Sequence, residues 1–310
     1  MDYSIVVPLY NEEEVITECH RQLSEVMAGC DGTYELIYVN DGSRDGTMTL
    51  AREIAQRDEH VRIISFSRNF GHQTAITAGM DKAAGKAIVV IDADLQDPPR
   101  VILDMIAKWK EGFEVVYGKR TKRKGETVFK KATAKLFYRT LNAMTDVEIP
   151  ADAGDFRLLD RKVVDTLKTL PERSRYVRGL VSWVGYRQTA VEYVREERYA
   201  GETKYPLRKM LKFAADALTS FSHKPLKISM ILGILFIIAS IALFIVEIIN
   251  VFVVYLLPEG MLSLFGLLFI TNGIVLVMLG IVGQYVARIY DEVKARPLYI
   301  IGETVGFDSE

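Results

Sequence analysis

Two carboxylates separated by one small residue, Asp92-Ala93-Asp94, follow the apolar run IVVI at 88–91. Paired oxygen donors at the end of a buried strand suit Mg²⁺ or Mn²⁺. Such ions are held through one or two carboxylates while phosphate oxygens complete the shell. A D-x-D also occurs in ordinary turns. Its place between that run and Leu95-Gln96-Asp97-Pro98-Pro99 gives it weight. Asp97 itself reads as the N-cap of the next helix, just before Pro98. Asp41 ends another apolar run and precedes Gly42-Ser43. A carboxylate there can accept hydrogen bonds from a base or a ribose. Asp45 reads as an Asx turn that caps the following helix. Arg68-Asn69-x-Gly71 follows a third run and can meet phosphate or base, with a plain loop as the simpler reading.

These residues need a scaffold that brings several strand ends to one rim. Apolar, β-rich runs lie at 3–8, 36–40, 61–66, 88–91 and 114–117. Helix-like segments near 12–28, 46–58, 72–84 and 99–111 separate them. That alternation predicts βαβ units around a parallel sheet. In such sheets ligands bind beyond the carboxyl ends of the strands. Pro8-Leu9-Tyr10-Asn11-Glu12, Asn40-Asp41, Asp92–Asp97 and Gly118-Lys119-Arg120 all fall there. A strand at 156–160, helices near 161–170 and 175–184, and a strand at 186–196 follow.

The rest of the chain points to a lipid surface. Between Lys119 and Arg139 nine basic residues face one acid, Glu126, with Phe129, Leu136, Phe137 and Leu141 interleaved. That pattern suits an amphipathic helix against anionic lipid or a lipid phosphate. Residues 206–222 read as a second amphipathic helix. Residues 228–246 contain no charged side chain, and neither do residues 260–287. Each run is long enough to cross a ~30 Å hydrocarbon core. Lys224 and Lys227 precede the first and Arg288, Lys294 and Arg296 follow the second, so both ends are expected in the cytoplasm. The domains expected are a catalytic unit at 1–205, a juxtamembrane helix at 206–227, a two-helix anchor at 228–287 and a tail at 288–310.

Several classes are excluded. A formal charge of −1 does not fit a generally basic nucleic-acid binder. Cys19 and Cys30 are the only cysteines and form neither a disulfide framework nor a metal spacing. The start, MDYSIVVPLYNEEE, has no basic region of a signal peptide. No G-x-G-x-x-G follows the first strand and no G-x-x-x-x-G-K-[ST] is present.

The segments IVVPLYNEEE, VNDGSRDGT, RNFGHQTAITAGMDKAAG, DADLQDPP and GDFRLLDR together resemble the family 2 glycosyltransferases of the GT-A fold, in the polyprenyl-phosphate subgroup of bactoprenol glucosyltransferase type. The resemblance implies an α/β, Rossmann-like domain with a mostly parallel sheet, interfacial amphipathic helices and two transmembrane helices. It implies a nucleoside site at Pro8, Tyr10, Asn11, Glu12 and Asp41. Asp92, Asp94 and Gln96 match the metal and diphosphate positions, with Mg²⁺ or Mn²⁺ as cofactor. Arg120 matches an arginine near the acceptor phosphate, with Lys131 and Lys135 on the acceptor helix. Asp155 matches the proposed catalytic base, and Arg198 and Lys204 match residues that close over the donor diphosphate. The implied reaction is inverting transfer of a sugar, glucose first, from a UDP-sugar to a polyprenyl phosphate in the bacterial plasma membrane. A homo-oligomer, a tetramer, is implied, with a separate flippase and a downstream transferase. GDP-mannose, a UDP-amino-pentose and a UDP-N-acetylhexosamine are alternative donors, and a non-catalytic nucleotide-sugar sensor is the alternative class. A processive synthase would need a Gln-x-x-Arg-Trp motif, which is absent.

Overall fold

The computed structural model describes residues 1–122, 153–173, 175–196 and 261–307, with single helical positions between 231 and 245. The expected basic helix beyond 122, the amphipathic helix at 206–222 and most of the first span lie outside the described residues. So do Lys131, Lys135, Arg198 and Lys204.

Continuous apolar β-formers give strands that are covered on both faces. β1 (Tyr3–Leu9) is buried along its whole length. β2 (Tyr34–Asn40), β3 (Val61–Phe66) and β4 (Ala87–Val90) join it to form the parallel core, in the order β4-β1-β2-β3. The helices α1 (Ile16–Ala28), α2 (Thr47–Arg57) and α3 (His72–Lys82) make the crossovers. α1 shows why it is a helix: Ile16, Cys19, Leu23 and Met27 recur at helical spacing and are all buried. Both cysteines are free thiols.

After α4 (Val101–Lys110) the sheet becomes mixed. β5 (Val115–Lys122) and β6 (Ala153–Asp160) pair antiparallel, and β6 pairs antiparallel with β4. α5 (Arg161–Thr169) and α6 (Val177–Trp183) lead to β7 (Gln188–Val194), which runs parallel to β5 at one edge. The register Val90↔Arg157 sets Asp155 beyond the end of β4, on the side of Asp92.

The opposite edge holds a strand from the far end of the chain. α7 (Met261–Lys294) is 34 residues long, and β8 (Ile301–Val305) follows it and pairs antiparallel with β3. The sequence places these last residues in a tail; the structure adds them to the sheet as its eighth strand. A five-residue run is short, and its alternation is too brief to stand out after a long apolar helix. α7 also continues past the expected end of its span, to Lys294. Within it Ile270–Lys294 is, among the described residues, the one helix long and apolar enough to cross a membrane.

Candidate active site

The loop from Ser67 to Gly71 joins β3 to α3 and organises the carboxylates. Asp41, at the end of β2, is buried, and its oxygens accept from Asn69 Nδ2 at 2.9 Å, Phe70 N at 2.6 Å and Gly71 N at 2.9 Å. Gly71 has φ +105°, which a side chain would resist, and this conformation lets successive amides face one carboxylate. Gly42 has φ +65°, and a Cβ there would lie 2.5 Å from the Arg68 carbonyl carbon. The two loops therefore touch backbone to backbone. Burial pushes the Asp41 carboxyl upward, against the amides of Phe70 and Gly71.

The next two residues, the first of α3, reach the other carboxylates. His72 Nε2 lies 3.4 Å from Asp92 Oδ1 and 3.4 Å from Asp155 Oδ2. Gln73 Nε2 donates to Asp155 Oδ2 at 3.2 Å, and its Oε1 accepts from Val177 N at 3.0 Å, tying the start of α6 to the site. Arg178, on α6, clasps Asp155 with two bonds, Nε to Oδ1 at 2.8 Å and Nη2 to Oδ2 at 2.9 Å. Burial would raise the Asp155 carboxyl, but Arg178 and His72 outweigh it and hold it well below the usual carboxylate range. Burial opposes charge on His72, and Asp92 and Asp155 overcome it, pushing its pKa up to about 9.

Asp92 and Asp94 stand as the sequence reads them, at the β4 rim. Asp94 is buried, and its Oδ1 accepts from Gln96 N at 3.2 Å. Asp92 Oδ1 is buried with no hydrogen-bond partner. Burial first, then Asp155 and Asp94, push the Asp92 carboxyl up to about 6, against His72. Two neighbouring carboxylates, one with an oxygen that makes no hydrogen bond and has His72 as an ion-pair neighbour, fit a hard divalent cation. The backbone carbonyl of Gln96 accepts from Glu196 N at 3.0 Å, which brings the chain just after β7 across the motif.

On the first rim, Pro8 is buried within β1. Asn11, with φ 53°, donates its N–H to Ser43 Oγ at 3.0 Å, and its side-chain oxygen accepts from Arg44 N at 2.9 Å. Glu12 N donates to Thr47 Oγ1 at 2.8 Å. These bonds stitch the β1 and β2 ends together and leave Tyr10 exposed beside them. Asp45 accepts from Thr47 N at 3.1 Å, the Asx turn expected of it, while the N-cap position of α2 falls to Gly46.

Asp97 corrects the sequence expectation. α4 begins at Val101 with Arg100 at its N-cap, and the Val101 amide bonds Pro98 O. Asp97 lies well before that cap. Its carboxylate is almost fully buried and accepts from Tyr193 OH at 2.5 Å and Arg120 Nη2 at 3.3 Å, with Arg195 Nε 3.6 Å away. A residue that precedes proline avoids helical geometry, so Pro99 keeps Pro98 from opening the helix. Arg120 is thus committed to Asp97 and Tyr193, and its side chain is 14% exposed. His72, Gln73, Arg178 and Tyr193 were not singled out from the sequence. His72 and Gln73 directly follow the noted Arg68-Asn69-x-Gly71, a usable signal. Arg178 lies in a helix with no local mark and meets Asp155 only through packing.

The chain matches the glycosyl transferase family 2 model over residues 4–168 and belongs to that family, a glycosyltransferase of the α/β GT-A fold. It is 58% identical, over 100% of its length and 96% of the relative's, to the uncharacterized glycosyltransferase YkcC of Bacillus subtilis (strain 168). It is 39% identical, over 97% of its length and 98% of the relative's, to the prophage bactoprenol glucosyl transferase homolog of Escherichia coli (strain K12). Among solved structures, glucosyl-3-phosphoglycerate synthase from Mycobacterium tuberculosis is similar with a TM-score of 0.48 at 21% identity, covering 70% of this chain and 78% of that one.

Proposed function

We propose that the protein transfers glucose from UDP-glucose to undecaprenyl phosphate at the cytoplasmic membrane face, with inversion at the anomeric carbon. The observation that carries this reading is the convergence of Asp41, Asp92 and Asp155 on one short stretch, residues 69–73, at the carboxyl rim of the sheet. Relatives near 40% identity, named bactoprenol glucosyl transferase, support the lipid acceptor and the glucose.

Tyr10, Asn11, Glu12 and Asp41 form the nucleoside end, with buried Pro8 shaping the wall. Asp92 and Asp94, with Gln96 beside them, would hold Mg²⁺ or Mn²⁺, whose charge stabilises the departing diphosphate. Arg198 and Lys204 are assigned to the same diphosphate. Arg120 stands at the root of the basic segment that meets the acceptor phosphate; its charge is already matched by Asp97, so Lys131 and Lys135 carry more of that load. Asp155 is assigned to orientation rather than proton removal. A phosphate monoester loses its second proton near pH 6, so at pH 7 the acceptor is mostly a dianion and needs no strong base. A carboxylate clasped by Arg178 is also a weak one. Residues 1–205 and both termini are assigned to the cytoplasm, with two spans at 228–287 and assembly as a tetramer.

Transfer of label from UDP-[¹⁴C]glucose into undecaprenyl phosphate, with Mn²⁺ or Mg²⁺, tests the reading. Wild type is expected to move label, and Asp94→Asn to be slower by about 10²-fold or more, the scale of losing one charge-stabilising group. Wild type that moves no label from any UDP- or GDP-sugar, while still binding donor, overturns the enzymatic reading and favours a sensor.

A further inference from the structure

The segment after α7 does more than extend the sheet. β8 pairs with β3 through Ile63↔Val305, Ile64↔Thr304, Ser65↔Glu303 and Phe66↔Ile301, and the pairing runs on as Ser67 N donates to Ile300 O at 3.0 Å. The next residue back, Tyr299, touches both elements that flank the loop at 67–71. Its ring stacks on Phe66, the last residue of β3, with centroids 5.2 Å apart and planes 18° apart. Its hydroxyl donates to Asp81 on α3 at 3.0 Å. Phe66 in turn meets Phe70 edge-on at 5.6 Å, and the Arg68 guanidinium lies over the Phe70 ring, 4.0 Å from its centroid. Phe70 is the residue whose amide approaches Asp41 most closely, at 2.6 Å. Tyr299, Phe66 and Phe70 pack together against the core between the sheet and α3.

We infer that Tyr299 is a positioning residue for the nucleotide-sugar donor: it buckles the end of β3 to α3 and so fixes the loop that holds Asp41. This rests on the donor reading above. A short loop between two packed elements has little freedom once both ends are fixed. Releasing one end lets the Phe70 and Gly71 amides leave Asp41. Its carboxylate then swings from its place, and the nucleoside end of the site loosens while Asp94 and Asp155 remain seated by other contacts.

The test compares full-length wild type with Tyr299→Ala, Tyr299→Phe and Arg52→Ala. Arg52 pairs with Glu303 on β8, away from the loop, and controls for weaker strand docking. The measurements are UDP affinity with Mn²⁺ by calorimetry, donor KM and kcat, and amide hydrogen exchange. Loss of a ring contact of this kind predicts about tenfold weaker UDP binding and a matching rise in KM for Tyr299→Ala, with kcat at saturating donor within about twofold. Exchange rises at 67–71 and not in β1 or β4. Tyr299→Phe, which keeps the ring, is expected to lose less than about threefold, and Arg52→Ala to bind UDP as wild type does. If Tyr299→Ala does not accumulate as folded protein, Tyr299→Leu carries the same expectation. Wild type that binds UDP while the Ala or Leu variant binds it equally well overturns the inference alone. A fall in kcat with affinity unchanged also overturns it. Wild type that binds neither UDP nor GDP overturns the donor reading, and the inference falls with it.

Discussion

Asp155 shows how a neighbour decides what a carboxylate can do. Sequence resemblance marks it as a base; Arg178, absent from any motif, holds it ionised. Its pKa is held low, so above about pH 4 it stays deprotonated in the folded protein, and whatever the ion pair adds to stability is fully present there. That contribution is lost only as pH falls through the depressed folded value. Asp155→Asn is therefore expected to slow transfer through misplaced acceptor or sugar, with the pH–rate profile between about pH 6 and 9 unchanged in shape. Loss of an acidic limb in the mutant profile would restore the base role. Asp41, Asp92 and Asp94 were legible because they follow apolar runs, whereas Asp155 came only from the family resemblance. Their partners were not, since Arg178 and Tyr193 reach the site through tertiary packing that no local spacing records.

At the scale of elements, α3 is the helix on which the site depends. Its N-terminus carries His72 and Gln73, and its middle lies unusually close to β1 and β2. A Cβ on Gly79 would sit 2.2 Å from Val6 Cγ1 and 3.2 Å from Val39 Cγ2. Valine side chains are stiff at χ1, so neither can turn aside. Gly79→Ala is expected to cost about 1–3 kcal/mol through overpacking, read from thermal or urea melts of the solubilised protein. An unchanged midpoint would show that α3 can shift without strain. The strands and helices of the parallel core were readable to within a few residues, because period and composition agree there. The cap of α4 was not: the helix starts at Val101, two residues after the expected 99, and Asp97 turns inward to Tyr193 and Arg120 instead of capping it.

At the scale of the whole molecule, β8 covers β3 and is itself the edge of the sheet, a strand of only five residues. A short edge strand invites less association with other chains than a bare β3 would. A chain ending at Lys294 lacks β8 and the Arg52–Glu303 pair. It is expected to elute as aggregate in size-exclusion chromatography after extraction, and the full chain as a single symmetric peak. A truncated protein that elutes like wild type would show that the edge needs no cover. This pairing was not legible, because the partner strand lies in the first quarter of the chain and nothing local announces it.

The end of α7 is held twice, by β8 and by Glu292, whose carboxylate accepts from Arg173 N at 2.8 Å just before α6. The uncharged part of the helix, residues 261–287, is ~40 Å long at 1.5 Å per residue, more than a ~30 Å hydrocarbon core requires. A long helix meets a thin bilayer by tilting. On the membrane-spanning reading proposed above, a helix fastened at two points would tilt together with the domain that holds it, so bilayer thickness would set the angle at which the rim of the sheet faces the lipid headgroups.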